Sequence, residues 1–470
     1  MTSLIKPSPR ASRPLLFAWY GDDLTGTTDV LEVLAGAGIR AVIILTKPTP
    51  ELLTRFGGLQ AFGMAGASRT WSRGEMDRHL PAVFRALRRS GAPLVQYKIC
   101  STFDSSPRVG SIGRAIELAH RSFPAPVVPV VVGAPALGRY VAFGNLFARS
   151  GLDSEPTRLD RHPTMTRHPI TPMDEADLRV HLRRQTRLPI GLFDLPRLQA
   201  ADPERELDRL NPKGILFFDA VAEAHLRTIG RLIARCAPAR KPLFCVGSSG
   251  LTEAMVRHWQ DSGVIAPTCE VSPPHQSRER TGLVPVVAIS GSCSPVTRRQ
   301  IRLAVRAGFQ ALRLTPRQLL NPHTATRTRQ RLVARANQFL RAGRSVIIYC
   351  TAPSQTSPSR VGRYRLSQKL AGELGELLEA ILRQIPVPAA NSLRVVVCGG
   401  DTSTHAARVL GIEALEYVAP MAPGSPLCRA QAPERAAHAR EIVFKGGQVG
   451  RDTFFLEVAA GGFPAPGRSR

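Results

Sequence analysis

Residues 14–38, PLLFAWYGDDLTGTTDVLEVLAGAG, constrain the fold more than any other stretch of the chain. An apolar, aromatic run over 15–20 stops at Gly21-Asp22-Asp23-Leu24-Thr25-Gly26. An amphipathic run follows, with apolar residues at Val30, Leu31, Val33 and Leu34. This pattern predicts a strand, a tight turn and a helix. In an open α/β sheet such a turn lies at the carboxyl end of a strand, where ligands bind. Two adjacent carboxylates and three hydroxyls sit there beside the N–H groups of a helix start, which predicts a polar small-molecule site. Taken singly, Asp22, Asp23 or Thr25 would equally be explained as a helix cap.

At 470 residues the chain has length for two or three domains, each expected to carry its own core. No apolar run approaches the roughly 20 residues of a membrane span. The first residues, MTSLIKPSPRASRP, are basic without an apolar stretch and do not read as a secretory signal. The eight cysteines are scattered, with no C-x-x-C pair and no zinc spacing, and read as reduced thiols of a cytoplasmic protein. The net charge of +27 would suit a nucleic-acid partner. Its basic residues are mostly arginine and dispersed, however, with no run long enough to track phosphates beside aromatics. An arginine-rich coding bias together with small anionic ligands accounts for the charge at least as well as nucleic acid does.

Further strands are predicted over 41–45, 59–65, 94–99, 127–133, 215–219 and 243–246. Several run into polar turns: Gly66-Ala67-Ser68-Arg69, the hydroxyl-rich stretch from Cys100 to Gly113, and Pro135-Ala136-Leu137-Gly138-Arg139. The turn Gly247-Ser248-Ser249-Gly250 lacks the G-x-S-x-G spacing of a hydrolase nucleophile. His162 and His168 lack a third ligand at metal spacing, so 160–171 is read as a plain loop. Residues 264–281 carry Pro, Ser and charge without periodicity and read as a linker. The predicted division is therefore 1–263, a linker over 264–282, and 283–470.

The second half opens with a strand over 284–289 and the turn Ser290-Gly291-Ser292-Cys293-Ser294-Pro295-Val296-Thr297. Strands over 345–349 and 393–397 follow, the latter feeding Cys398-Gly399-Gly400-Asp401-Thr402-Ser403 and then a helix. A glycine pair between a buried strand and a helix start suits phosphate. Lys445-Gly446-Gly447 adds a cation beside bare backbone. The first-half turn has the G-x4-G spacing of a Walker A loop but threonine in place of its lysine. Its acidity repels triphosphate, so a nucleotide is expected on the second half.

Taken in order, these motifs resemble the four-carbon acid sugar kinase family over residues 14–458. The family's D-D-x-T-G, P-A-x-x-x-G-R, S-G-S-C-S-P-x-T, G-G-[DE]-T-S and K-[SG]-G-x-x-G segments all have counterparts here. The resemblance implies an α/β protein of two domains, each with a mostly parallel sheet flanked by helices, and a site in the cleft between them. It implies ATP, with Mg²⁺ bridging its phosphates, across Ser290, Ser292, Gly399, Gly400, Asp401, Thr402, Ser403, Gly446 and Gly447. It implies a sugar acid held by Arg69, Ser101, Thr102, Asp104 and Arg139, with Asp22 or Asp23 as base and Lys98 offsetting charge. Closure across the linker would join the two. No metal site made by the protein alone is expected, and a homodimer is left open. In two places the chain departs from the family: Cys100 stands for an aspartate and Asp104 for an arginine. They suggest a separate branch, associated with oxo-isoapionate-type acids. They also motivate a competing reading, a two-domain sensor without catalysis.

Overall fold

Short runs of valine, isoleucine and phenylalanine without polar alternation make strands covered on both faces. In the computed structural model, which describes residues 14–150, 154–168, 170–239, 241–266, 283–292, 294–350, 360–385, 393–433 and 435–461, these runs build one large sheet. The first half supplies β1 (Phe17–Gly21), β2 (Ala41–Ile44), β3 (Ala61–Ala65), β4 (Leu94–Lys98) and β5 (Val127–Val131). A small antiparallel sheet follows, β6 (Arg139–Ala142), β7 (Asn145–Ala148) and β8 (Thr157–Arg158), and then β9 (Ile190–Phe193), β10 (Gly214–Phe218) and β11 (Leu243–Gly247). The second half adds β12 (Val286–Ser290), β13 (Gln310–Leu314), β14 (Val346–Cys350), β15 (Arg394–Cys398), β16 (Ala414–Ala422), β17 (Ser425–Gln431) and β18 (Glu441–Lys445).

The large sheet has 15 strands in the order β9-β10-β5-β11-β4-β1-β3-β2-β16-β17-β18-β15-β12-β14-β13. Within each half the pairing is parallel except around β16 and β17. Helices between the strands cover the faces, so the expected α/β architecture of mostly parallel strands holds, but the two sheets expected of separate domains are one continuous sheet. The sequence patterns do not point to β9, β13, β16, β17 or β18.

The two halves are joined edge to edge. Antiparallel β16 pairs with β2, setting Ala414, Leu415 and Glu416 opposite Ile44, Ile43 and Val42. The Leu45 N–H extends that ladder by donating to the Glu413 carbonyl at 2.8 Å. Behind the seam, the helix Leu24–Gly36 packs Leu31 and Leu34 into one apolar cluster with Leu410, Leu415 and Phe444 of the second half. The expectation of separate cores is therefore corrected. Both parallel sets end in open edges, and a shared hairpin and helix bury those edges together.

Three antiparallel pairings separate the sets, so their strands run in opposite senses along the sheet. Six steps from β1 to β15, at about 20–25° of twist each, rotate one set against the other by roughly 130°. That rotation turns the carboxyl ends of β1 and β15 towards one another.

Linker residues 267–282 lie outside the described residues, as do Cys269 and Cys293. The cysteines that are described are free thiols. Among the described residues no helix is long and apolar enough to cross a membrane.

Candidate active site

β1 ends at Gly21, and Asp23 caps the helix Leu24–Gly36 from an extended backbone. Its Oδ1 accepts the Gly26 N–H at 2.5 Å and the Thr25 hydroxyl at 3.2 Å. Its Oδ2 accepts Arg69 Nη1 at 2.5 Å. Both oxygens of Asp23 are thus occupied.

Asp22 is different. Its N–H donates to the Lys98 carbonyl at 3.0 Å and its carbonyl accepts the Arg69 N–H at 3.1 Å, so its backbone is fixed between two neighbouring strands. Its carboxylate makes no hydrogen bond among the described residues, and Oδ1 is fully buried. Burial pushes the Asp22 pKa up to about 7; Arg69 and Lys98 pull it down, while Asp23 and Asp104 push it up. Lys98, 2% exposed, pairs with Asp29 Oδ2 at 3.1 Å and donates to the Ile99 carbonyl at 3.1 Å. A Cβ on Gly26 would lie 2.9 Å from Asp23 Oδ1 and 3.4 Å from Lys98 Nζ, so this turn needs glycine for the close approach of its charges.

Arg69 forks onto Asp104, Nε to Oδ2 at 3.2 Å and Nη2 to Oδ1 at 3.0 Å. The Thr102 hydroxyl donates to Asp104 Oδ1 at 2.6 Å and lies 2.9 Å from Cys100 Sγ. Against the burial that would raise it, Arg69, then His168 and Thr102, bring the Asp104 pKa down to about 2. The departure at position 104 therefore has a structural consequence. Asp104 takes the fork of Arg69 within the first half, and the Arg69 side chain stays partly exposed.

Arg139 Nη1 donates to the carbonyls of Leu137, Gly138 and Arg149 at 3.0, 3.2 and 3.1 Å. It has no carboxylate partner among the described residues, and burial lowers its pKa. Ser101 is half-buried and makes no hydrogen bond among them. The Gly247–Gly250 turn is structural: Gln96 Nε2 donates to the carbonyls of Gly247 and Ser248, and the Ser248 hydroxyl donates to the Val132 carbonyl.

On the second half, Gly399 (φ 113°) starts the helix Gly400–Val409 without a side-chain cap. The first intrahelical bond there is Ser403 N–H to the Gly399 carbonyl at 2.8 Å, so the N–H groups of Gly400, Asp401 and Thr402 are left pointing out. A Cβ on Gly399 would sit 3.6 Å from the Ser292 nitrogen, and one on Gly447 2.6 Å from Ser292 Oγ. Ser292, Gly399 and Gly447 therefore lie together at one surface, with Ser290 fully buried at the end of β12 beneath them. Thr297 ties this group: its hydroxyl donates to the Gly447 carbonyl at 2.7 Å and receives Lys445 Nζ at 3.3 Å. Gln300 Nε2 lies 2.8–3.0 Å from the carbonyls of Val449, Gly450 and Arg451 and pins the following loop. Lys445 is fully buried over the Phe454 ring, with no carboxylate partner among the described residues, and burial lowers its pKa.

The two turns meet. A Cβ on Gly400 would lie 3.7 Å from Asp23 Oδ2, and Asp23 and Arg69 both act on the Asp401 carboxyl. Asp22, Asp23, Arg69, Lys98, Thr102 and Asp104 thus stand together against the start of the helix that carries Asp401, Thr402 and Ser403. Ser101 and Arg139 lie at the margin. Sequence reasoning missed Asp29, although a charge beside Val30 and Leu31 on an apolar helix face signals a buried partner. It also missed Thr297, Gln300 and Thr171 as site residues. No group of three or more His, Cys, Asp or Glu stands ready to hold a metal among the described residues.

Residues 17–255 match a family described as a sugar-binding N-terminal domain, and residues 287–455 one described as a nucleotide-binding C-terminal domain. The chain is 43% identical to the 3-oxo-isoapionate kinase of Paraburkholderia graminis, covering 95% of this chain and 94% of that one. It is 31% identical to a 3-oxo-tetronate kinase of Methylobacterium radiotolerans, covering 94% and 98%. Crystal structures of proteins from Salmonella typhimurium LT2 (TM-score 0.71, 24% identity, 94% and 98% covered) and Haemophilus influenzae (0.63, 20%, 93% and 98%) share the fold. With its two lobes, its motifs in order and relatives matched from end to end, the chain belongs to the four-carbon acid sugar kinase family.

Proposed function

We propose that this protein transfers the γ-phosphoryl group of ATP to a hydroxyl of a small sugar acid of the 3-oxo-isoapionate kind. The observation that carries the reading is Asp22, a buried carboxylate with no hydrogen bond among the described residues, acted on by Arg69 and Lys98 and adjacent in the chain to Asp23, which meets the uncapped start of the helix Gly400–Val409. A base needs a vacant lone pair and a pKa near the working pH. Asp23 has neither oxygen free. Asp22 takes the hydroxyl proton, the substrate oxygen bonds to the γ-phosphorus, and the bond from that phosphorus to the bridging oxygen breaks to release ADP. The helix-start N–H groups and Lys445 hold the phosphates. Arg139, a cation without a carboxylate partner, receives the acid group.

Mg²⁺ supplies charge neutralisation when it arrives on the nucleotide. Asp401, the carboxylate at the helix start, would suit such an ion, which takes one or two carboxylates beside phosphate oxygens. Because β2 and β16 pair directly and a core is shared, closure works as a bend of the joined sheet. Dependence on ATP fits the cytoplasm, and every role is filled from one chain, so the chemistry asks for no second copy. The test is a coupled ADP-release screen against small sugar acids, repeated with Asp22→Asn. Acid-dependent turnover that collapses in the variant is expected. Tight ATP binding with no turnover on any acid would overturn the reading in favour of a sensor.

A further inference from the structure

His168 lies in the loop that precedes Thr171, and the chemistry above leaves it unused. Its Nδ1 accepts the Thr171 N–H at 3.1 Å and lies 3.0 Å from the Thr171 hydroxyl. An amide N–H can only donate, so Nδ1 carries no proton and the ring hydrogen sits on Nε2. Burial, which lowers the pKa of the ring, favours the same neutral form. Nε2–H meets no hydrogen-bond acceptor among the described residues. The charges acting on the ring are Asp104 and Arg69 from the first half and Asp401 from the second. Thr171 also donates its hydroxyl to Asp104 Oδ2 at 3.4 Å, which ties the loop to the Arg69–Asp104 network.

We propose that His168 is a substrate-binding residue whose Nε2–H donates to an uncharged oxygen, hydroxyl or keto, of the sugar acid. The inference rests on the sugar-acid reading above. A neutral donor held by its own loop recognises a hydroxyl or carbonyl without competing for Asp104, whose charge Arg69 already answers. Anchoring through Thr171 to Asp104 assigns it to the sugar side of the seam rather than to the nucleotide.

Two measurements test it. In His168→Ala the KM for 3-oxo-isoapionate should rise about fivefold to tenfold, the loss of one hydrogen bond, with the KM for ATP unchanged. His168→Gln, which keeps an N–H near the Nε2 position, should recover most of that loss. An unchanged sugar-acid KM, or a rise confined to ATP, would overturn the proposal. The second measurement is a long-range ¹H–¹⁵N spectrum of the histidine rings, with His168 assigned from the glutamine variant. It should show the Nε2–H tautomer, and that signal should move when freshly prepared 3-oxo-isoapionate is added without nucleotide. A signal unmoved by the acid overturns the proposal even if the protein proves to be a kinase. A signal that moves in a protein without ATP turnover sinks the kinase reading and leaves His168 standing.

Discussion

The acidic turn after β1 and the glycine turn after β15 have the same local architecture, a buried strand running into a helix, and opposite electrostatics. In the first, charges answer one another: Asp23 and Asp104 hold Arg69, and Asp29 holds Lys98. In the second, Lys445 is buried without a carboxylate partner among the described residues, and the helix start has no side-chain cap. The first turn leaves over one carboxylate, Asp22, and the second one cation with three outward N–H groups. A leftover base suits proton abstraction, and leftover positive potential suits phosphate. What each turn fails to satisfy internally thus differs, and the proposed roles follow that difference.

The sharpest break of this contrast is Asp22→Asn. Turnover should fall by about 10²–10⁴-fold with ATP binding retained, measured by steady-state kinetics and calorimetry. In the wild type, kcat/KM should climb with pH through the Asp22 pKa of about 7, because the base must be ionised. The folded pKa lies above the ordinary aspartate value of 3.8, so the native state binds the extra proton between about pH 4 and 7, and stability falls as pH rises across that window. The asparagine variant should flatten this slope in pH-dependent melting.

Asp29→Asn should come next. It leaves Lys98 buried and unpaired, at a cost of about 3–5 kcal/mol in urea unfolding. Wild-type stability in this variant would show that the first turn is not held by mutual neutralisation. Lys445→Met should act on the other turn, raising the KM for ATP by roughly tenfold or more while leaving the sugar-acid KM alone. Burial depresses the Lys445 pKa, so the charged form costs stability at neutral pH, and the methionine variant should melt higher rather than lower. A lower melting temperature with unchanged ATP binding would make Lys445 a structural residue. The smallest effect belongs to Gly424→Ala, on the hairpin that joins the halves. Gly424 has φ +79° and donates its N–H to Glu32 at 2.6 Å, and alanine there should cost about 1 kcal/mol. A single cooperative transition should persist; two separate transitions would show that the halves fold apart.

Much of this is legible in the order of residues alone. Around Gly21 and around Gly399 the hydrophobic pattern changes from an unbroken run to helical spacing, and both motifs lie where a strand hands over to a helix. The joining hairpin is not legible, because APMAPGSPLCRA breaks every periodicity with proline, and β16 is held as a strand by β17 beside it and by β2 on the other half. The fork between Arg69 and Asp104 spans 35 residues, and no spacing rule links them. Asp29 is hidden in an amphipathic helix whose buried face is otherwise dominated by leucine and valine.

Local patterning is enough to say that acid gathers at one strand end and bare glycine at another, since both follow from residues adjacent in the chain. Which carboxylate is left free cannot be read that way. Asp22 and Asp23 are neighbours with identical side chains, and they part only because Gly26 and Arg69 occupy one while Oδ1 of the other is buried and meets no donor among the described residues. Ion pairing and desolvation act through space, between groups that only the folded sheet brings within a few ångströms, and they turn two equivalent aspartates into a helix cap and a buried carboxylate left without a hydrogen bond among the described residues.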